Sequence, residues 1–396
     1  MTSYNKAYLK PKKEESIKRF HPWIFSGAIK NFQSEPKEGE TVKVYSSSNE
    51  FCGLGHYQYG TIAIRVFSFE DIDVDENFWE NKIRLAYNSR VDIGIANSET
   101  TNTYRLIHGE GDGLPGLIVD IYDKTAVLQC HSVGMHLERN TLAKCIKNVM
   151  GDKIVNIYYK SENTLPPYAN LNVQDGYLLG SDDGLYYAIE NGLKFHADWI
   201  KGQKTGFFID QRENRALLER YAKGKKVLNM FCYTGGFSFY AMRGGASLVH
   251  SVDSSAKAIE LTKSNVELNF PGDTRHEAYA EDAFKFLDEM RTDYDLIVLD
   301  PPAFAKHRDA IRHALKGYQK LNAKALEKIK HGGILFTFSC SQAVNKEQFR
   351  LAVFSAAAQA KRHVKILHQL TQPADHPINI YHPEGEYLKG LVLYVD

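Results

Sequence analysis

A cysteine near the end of the chain directly follows an apolar stretch that is typical of a buried strand. Residues 333–338 read Gly-Ile-Leu-Phe-Thr-Phe, and Ser339, Cys340 and Ser341 come next. A thiolate is a strong nucleophile, and open α/β sheets bind ligands at the carboxyl ends of their strands. A buried cysteine can also be an inert apolar group. The polar neighbours and the strand-end position favour a nucleophile.

A carboxylate and two prolines follow the preceding strand-like run, at residues 296–299. Asp300, Pro301 and Pro302 come directly after it, and Phe304 lies two residues further on. Because proline fixes its own φ, the chain leaves this strand rigidly. Such an exit can aim Asp300 at a planar ring on which Phe304 stacks. Turn formation alone would also explain Asp-Pro-Pro, but the position after a buried strand favours a substrate site.

A glycine-containing turn links an earlier apolar run, residues 227–230, to a helical stretch. Gly235 and Gly236 would let the backbone approach a ligand closely, and the helix N-terminus offers free N–H groups. The dinucleotide fingerprint GxGxxG is absent, so this turn indicates a cofactor site of another kind.

Two further carboxylates come after predicted strands. Asp253 follows residues 248–252, where an acidic residue would accept hydrogen bonds from ribose hydroxyls. Capping of the next helix is the alternative role. Asp282 follows another predicted strand and could hold an adenine amino group.

The elements that must position these residues alternate between strands and helices from about residue 185 onward. Short apolar strands at 226–230, 248–252, 296–299 and 334–338 predict a parallel, doubly wound sheet. Residues 75–185 mix a hairpin, helices and strands, which indicates an α+β region. Residues 40–67 contain short alternating runs typical of a small β-barrel or sheet.

The composition restricts the classes of protein that the chain can belong to. It has 396 residues, 43% hydrophobic and 24% charged, with a net charge of +1. We expect two or three domains and no membrane span, export signal or metal site. Five cysteines without a CxxC pair predict thiols in a reducing cytoplasm; they are Cys52, Cys130, Cys145, Cys232 and Cys340. Residues 1–30 hold seven basic and two acidic residues, a net +5 that suits a solvated surface or phosphate contacts.

Several longer motifs resemble the bacterial RNA cytosine-5 methyltransferase family of ribosomal large subunit methyltransferase I. The matching segments are 21–25, 109–116, 204–215, 231–238, 300–306 and 339–341. The resemblance implies a multi-domain α/β protein. Its expected parts are an N-terminal PUA-like β-barrel (1–74), a central α+β domain (75–185), and a C-terminal Rossmann-like class I methyltransferase domain (186–396).

The resemblance also implies roles for individual residues. Cys340 would be the nucleophile and Asp300 a second catalytic group. S-adenosylmethionine (SAM) would contact Gln211 and Arg212, expected on a hairpin before the first strand, and Phe231, Thr234, Gly235, Asp253, Ser254, Asp282, Ala283 and Asp300. The substrate would contact Pro301, Pro302, Phe304 and Lys306. The two-cysteine RNA methyltransferases carry another cysteine after Asp-Pro, which this chain lacks. The group that removes the C5 proton is therefore open among water, Lys306 and His307.

The expected function is a SAM-dependent RNA methyltransferase that forms 5-methylcytosine in 23S rRNA through an adduct between Cys340 and cytosine C6. The expected partner is RNA, without a membrane, and a homodimer is left open. Two alternatives are an amino-group methyltransferase of the N6-adenine type and a non-catalytic RNA-binding or ribosome-assembly protein.

Overall fold

A computed structural model describes residues 3–169, 171–182, 184, 187–290, 293–305 and 308–396. The chain divides into two compact units. The first contains Met1–Gly192, Ala197–Ile209 and Ala374–Gly385; the second contains Leu193–His196, Asp210–Pro373 and Glu386–Asp396. No helix in the described ranges combines the length and apolar character needed to cross a membrane.

The first unit begins with a six-stranded sheet. Its elements are β1 (Asn5–Leu9), α1 (Glu15–Lys18), β2 (Trp23–Phe25), β3 (Ile29–Phe32), β4 (Thr41–Tyr45), β5 (Phe51–Tyr57) and β6 (Ile62–Ser68). The strand order is β2-β6-β5-β4-β1-β3. Strand β4 shows why the sequence alternates, because Val42 and Val44 are fully buried while the other three residues of the strand are half-buried.

A five-stranded sheet and its helices form the rest of the first unit. The elements are α2 (Glu76–Asp92), β7 (Thr103–His108), β8 (Leu117–Tyr122), β9 (Thr125–Cys130), α3 (Val133–Leu137), α4 (Arg139–Met150), β10 (Asn156–Tyr159), β11 (Gly176–Leu179) and β12 (Tyr187–Glu190). The sheet order is β11-β10-β9-β8-β7. Helices α3 and α4 are separated at Glu138, and the Arg139 guanidinium donates to His136 O at 2.8 Å.

The second unit is built on a seven-stranded sheet. Its elements are β13 (Leu193–His196), α5 (Arg212–Tyr221), β14 (Lys226–Met230), α6 (Gly236–Arg243), β15 (Leu248–Asp253), α7 (Ala256–Asn269), β16 (His276–Ala280), α8 (Ala283–Glu289), β17 (Leu296–Leu299), α9 (Ile311–Lys328), β18 (Gly333–Ser339), α10 (Lys346–Gln359), β19 (Val364–Leu370) and β20 (Lys389–Val395). The sheet order is β16-β15-β14-β17-β18-β20-β19. Only β20 breaks the parallel arrangement, running antiparallel to β18 and β19. The mostly parallel, doubly wound sheet is therefore confirmed.

The order of this sheet fixes where a site can form. Strand β14 has β15 on one side and β17 on the other, so the winding reverses there. Ligands bind outside the carboxyl ends of strands at such a reversal. Met230 pairs with Leu299, and Leu299 pairs with Thr337. Phe231 and Asp300 therefore leave the sheet side by side, and Cys340 directly follows the neighbouring strand β18.

Candidate active site

The loop of residues 231–235, which follows β14, is held in an unusual backbone conformation. Phe231 and Tyr233 have φ of 57° and 48°, and Gly235 has φ of 86°. Non-glycine residues in the left-handed region cost about 1–3 kcal/mol each and concentrate at functional sites. The carboxylate of Asp253 holds the loop, because its Oδ2 accepts a hydrogen bond from Tyr233 N–H at 3.0 Å.

Helix α7 supports the same loop from the other side. The Thr262 hydroxyl donates to Tyr233 O at 2.9 Å, and Asn265 Nδ2 donates to Thr234 O at 3.1 Å. A Cβ on Gly235 would lie 2.7 Å from Thr262 Cγ2, so this position requires glycine for space as well as for its positive φ. The Thr234 hydroxyl is buried, and among the described residues it has no hydrogen-bond partner. The loop thus offers a rigid cradle with an unused polar atom, which fits a bound ligand.

The two carboxylates expected to hold a nucleoside lie at the ends of neighbouring strands. Asp253 Oδ1 accepts from Ser255 N–H at 2.9 Å, and Ser255, rather than Asp253, caps α7. Asp282 caps α8, accepting from Phe284 and Lys285 N–H at 2.9 and 3.0 Å. Ser254 and Ala283 are the residues that follow these two carboxylates. Each ionised carboxylate has about four acceptor positions, so these bonds leave room for further donors.

Gln211 and Arg212 are almost fully buried, but the hairpin expected for them is wrong. Gln211 ends a single 3-10 turn and Arg212 is the first residue of α5. The Gln211 side chain accepts from Asn214 Nδ2 at 2.6 Å, which stabilises the first turn of the helix. A Cβ at Gly236 would lie 3.0 Å from Arg215 Cδ, so α5 lies against the start of α6.

The Asp-Pro-Pro segment leaves β17 as expected. Asp300 is partly exposed, Pro301 is buried and Pro302 is exposed. The Phe304 ring lies 4.6 Å from the Tyr318 ring, tilted by 31°. One side of Phe304 therefore already contacts an aromatic ring of α9, and stacking on a substrate base stays a prediction. Lys306 and His307 lie outside the described residues.

Cys340 lies next to this segment, at the end of β18. Its Sγ is 4.0 Å from Pro301 O, and the side chain is partly exposed. The Tyr318 hydroxyl bonds to the hydroxyls of Ser339 and Ser341, each at 2.9 Å. Ala305 N–H also donates to Ser341 Oγ at 3.3 Å. The structure therefore brings Cys340 close to the carbonyl of Pro301, the residue after Asp300, in a segment that these hydroxyls hold.

The other cysteines have different surroundings. Burial raises the pKa of Cys130 and Cys232 to about 12, and that of Cys145 to about 11. Cys52, on β5, is partly exposed. None of the five, all of which are described, forms a disulfide. In the same described ranges, no group of three His, Cys, Asp or Glu side chains is arranged to hold a metal.

Sequence reasoning missed a lysine at this edge. Lys389, the first residue of β20, is 4% exposed and donates to Ser341 O at 2.6 Å. Burial lowers the pKa of its ammonium to about 8. The available signal was a single charged residue in the otherwise apolar run 388–395.

Comparisons with known proteins match two regions of the chain. The family described as S-adenosylmethionine-dependent methyltransferase matches residues 170–383, and a PUA-like domain matches residues 7–69. A ribosomal RNA large subunit methyltransferase I from Alteromonas mediterranea is 37% identical over 392 residues. One from Shewanella denitrificans is 38% identical over 394 residues. Both alignments cover 98% of this chain and 98% of the relative.

Solved structures share the whole fold. A Streptococcus mutans protein assigned as a SAM-dependent methyltransferase has a TM-score of 0.85 and 23% identity, covering 98% of this chain and 100% of its own. A second structure, assigned as a methyltransferase and complexed with SAH, has a TM-score of 0.86 and 24% identity with the same coverage. At these identities the similarity shows the fold alone.

Proposed function

Because the chain belongs to the S-adenosylmethionine-dependent methyltransferase family of ribosomal RNA large subunit methyltransferase I, we propose that it methylates carbon 5 of a cytosine in 23S rRNA through a covalent adduct with Cys340. Family membership establishes SAM as the cofactor and rRNA methylation as the activity. The observation that carries the finer proposal is the position of Cys340, whose Sγ lies 4.0 Å from the carbonyl oxygen of Pro301, the residue after Asp300.

SAM supplies an electrophilic methyl group when it is bound. The 231–235 loop would hold its methionine part, supported by the unpartnered Thr234 hydroxyl in the described structure. Asp253 would accept from the ribose hydroxyls and Asp282 from the adenine amine. The remaining cofactor contacts are proposed for Gln211, Arg212, Ser254, Ala283 and Asp300.

Cys340 would make carbon 5 reactive, since that atom of cytosine is a poor nucleophile. The Cys340 thiol would lose its proton to water, and its electron pair would bond Sγ to C6. The C5–C6 π pair would shift to C4–C5 and N3 would take up a proton, so that C5 becomes enamine-like. After C5 has accepted the methyl group, which leaves SAH, a base would remove the C5 proton. The C5–C6 double bond then re-forms, the electron pair of the S–C6 bond returns to Sγ, and N3 loses its proton. Water, Lys306 and His307 are the candidates for this base.

Asp300 would stabilise the ring while its charge changes. Its carboxyl group is positioned by two prolines on a rigid strand exit. From there it would hold a proton at ring N3 and accept a hydrogen bond from the exocyclic amine. Preorganised groups of this kind stabilise charge as it develops in the transition state. Pro301, Pro302, Phe304 and Lys306 would border the same base.

RNA binding is proposed for the PUA-like region and the basic N-terminal segment. Within the first unit, Phe20 and Tyr381 are about half exposed, and their rings lie 5.3 Å apart. Unstacked RNA bases bind to exposed aromatic rings, and phosphate contacts with basic residues weaken as salt rises. The target cytosine must be unpaired or flipped out to reach Cys340. We propose that this function is divided among three domains: a PUA-like RNA-binding domain at 1–74, a central α+β domain at 75–185 and a SAM-dependent methyltransferase domain at 186–396.

The test is methyl transfer from labelled SAM to unmodified large-subunit RNA by Cys340→Ala. We expect a loss of about 10³-fold or more, because a nucleophile is absent rather than weakened. Cys52→Ala, which removes the partly exposed thiol of β5, is the matched control and should keep full activity. Unchanged transfer by Cys340→Ala would remove the covalent proposal.

Nucleoside analysis of the product separates the alternatives. We expect 5-methylcytosine. N6-methyladenine would indicate an amino-group methyltransferase, for which Cys340 has no chemical task. Failure of the protein to bind SAM in calorimetry would favour a non-catalytic RNA-binding protein.

A further inference from the structure

A buried ammonium group binds the backbone next to Cys340. Lys389 Nζ donates to Ser341 O at 2.6 Å and to Tyr387 O at 2.8 Å, and the residue is only 4% exposed. In the described part of the chain both acceptors are backbone carbonyls, so no carboxylate neutralises this charge directly. An ammonium in such surroundings loses much of its hydration and is costly to bury. A lysine at this buried position therefore calls for a functional explanation.

The sheet register places this charge next to Cys340. Lys389 pairs with Ser339 across β18 and β20, and its ammonium binds the carbonyl of Ser341. The two residues that flank Cys340 are thus both tied to Lys389. The charges of Lys389 and Cys340 also interact favourably when the sulfur is anionic.

Within the described ranges, the other ionisable side chains around the pair are those of Lys346, Glu386, Tyr318 and Asp300. Lys346 at the start of α10 forms an ion pair with Glu386, which precedes β20. Both act on Lys389 more weakly than Cys340 does, and with opposite signs. Tyr318 of α9 bonds to the hydroxyls of Ser339 and Ser341, and burial raises its pKa, which keeps it neutral. Asp300 approaches from the end of β17.

We propose that Lys389 is a positioning residue that holds the backbone of residues 339–341 and stabilises the thiolate of Cys340. The inference rests on the proposed nucleophilic role of Cys340. The S–H bond breaks and its proton leaves to water, while the electron pair stays on Sγ, where the ammonium charge stabilises it. When Sγ bonds to C6 the pair is shared with carbon, and it returns to Sγ on elimination. Lys389 keeps its three protons throughout.

The experiment measures the reactivity of the thiol itself, without RNA or SAM. The full-length wild type, Lys389→Met and Lys389→Arg are treated with iodoacetamide from pH 6 to 9, and alkylation of Cys340 and Cys52 is followed by peptide mass spectrometry. Cys52 is an internal control because it lies on β5 in the first unit. We expect Lys389→Met to slow alkylation of Cys340 about tenfold at pH 7, the scale of one partly screened charge at several ångströms.

The pH profile and the arginine variant separate a charge effect from a structural one. In Lys389→Met the rise of the Cys340 rate should move to higher pH, whereas Lys389→Arg should restore most of the wild-type rate. The Cys52 rate should stay the same in all three proteins. If Lys389→Met does not fold, Lys389→Gln replaces it, since it keeps a donor but removes the charge.

An unchanged Cys340 rate and pH profile in the folded neutral variant would overturn the inference. This outcome is distinct from failure of the proposed function, which would appear as normal methyl transfer by Cys340→Ala. An active, Cys340-dependent enzyme with no response to the charge at position 389 would leave the covalent mechanism standing and remove Lys389 from it.

Discussion

One charged network of the first unit and the site edge of the seven-stranded sheet bury polar groups in contrasting ways. In the first unit, Arg90 is 1% exposed and binds Asp112 with two nitrogens, the carbonyl of Asp375 at 2.8 Å and that of Arg105 at 2.9 Å. Arg105 in turn makes two bonds to the fully buried Asp120, at 2.7 and 2.8 Å. Both of these guanidinium groups therefore have a charged partner and further hydrogen bonds.

The edge of the seven-stranded sheet is different. In the described structure the Thr234 hydroxyl and Asn229 Oδ1 are buried without a partner, Phe231 and Tyr233 have strained backbones, and the buried Lys389 contacts carbonyls only. Buried polar atoms in proteins are normally satisfied, so exceptions call for an explanation. We infer from this contrast that the Arg90 network stabilises the fold, and we expect the unsatisfied Thr234 hydroxyl to bond to a ligand.

The largest expected effect comes from breaking the first network. Asp112→Ala would leave the Arg90 guanidinium buried without its carboxylate, which should lower the free energy of unfolding by about 3–5 kcal/mol. Urea unfolding measures this change. Lys144→Ala, which breaks the exposed ion pair with Glu76, is the control and should cost less than about 1 kcal/mol. A change below 1 kcal/mol for Asp112→Ala would contradict a structural role.

A smaller effect is expected on the RNA-binding surface. Phe20→Ala should weaken binding to large-subunit RNA about tenfold, because stacking on an aromatic ring contributes about 1–3 kcal/mol per base. Filter binding at fixed salt measures the affinity. Phe354→Ala, which removes an exposed ring from α10, should bind as the wild type does. Equal affinity of both variants would argue against stacking on Phe20.

The next effect tests the unused hydroxyl of the 231–235 loop. Thr234→Val keeps the shape of the side chain but removes the hydroxyl, so SAM affinity should fall about five- to tenfold, the value of one hydrogen bond. Stability should not fall, since no bond within the described structure is lost. Calorimetric titration measures the affinity. Thr337→Val is the matched control, because Thr337 also has a buried hydroxyl without a described partner but lies within β18. Equal SAM affinities would exclude a cofactor bond to Thr234.

The smallest effect concerns the pH dependence of stability. Burial lowers the pKa of Lys389 from 10.5 to about 8, so between these values the folded protein binds fewer protons than the unfolded chain. Stability contributed at this position therefore rises with pH from about 8 to 10.5, and the cost of burying the ammonium is fully present below pH 8. The unfolding free energy of the wild type minus that of Lys389→Met should therefore increase as the pH rises through that window. If the two proteins gave parallel curves of unfolding free energy against pH, the ammonium would be better solvated than its burial indicates.

Local patterns predicted the sheet of the second unit well. The expected strands at 226–230 and 296–299 match β14 and β17 residue for residue, because a buried parallel strand is a short apolar run with sharp ends. The same reasoning placed Asp300 and Cys340 at one edge, since parallel strands end on the same side. The roles of the site residues stay predictions.

The features that sequence reasoning missed depend on contacts between distant residues. The hairpin expected at Gln211 and Arg212 is the start of a helix, stabilised by the Asn214 amide. Phe304 meets Tyr318 of a later helix. Lys389 belongs to β20, which lies antiparallel between β18 and β19 although β19 precedes it in the sequence. No local periodicity encodes these neighbours, so only the folded chain reveals the charge next to Cys340.

The covalent mechanism is tested most directly by trapping the adduct between Cys340 and cytosine C6. Large-subunit RNA transcribed with 5-fluorocytidine replaces the C5 proton by fluorine, which cannot leave as a proton does, so elimination of the thiolate is blocked. After incubation with SAM and protease digestion, we predict an RNA-linked peptide that contains Cys340, and none from Cys340→Ala. Formation of 5-methylcytosine in ordinary RNA without any such linked peptide, or with the link at another residue, would contradict the account.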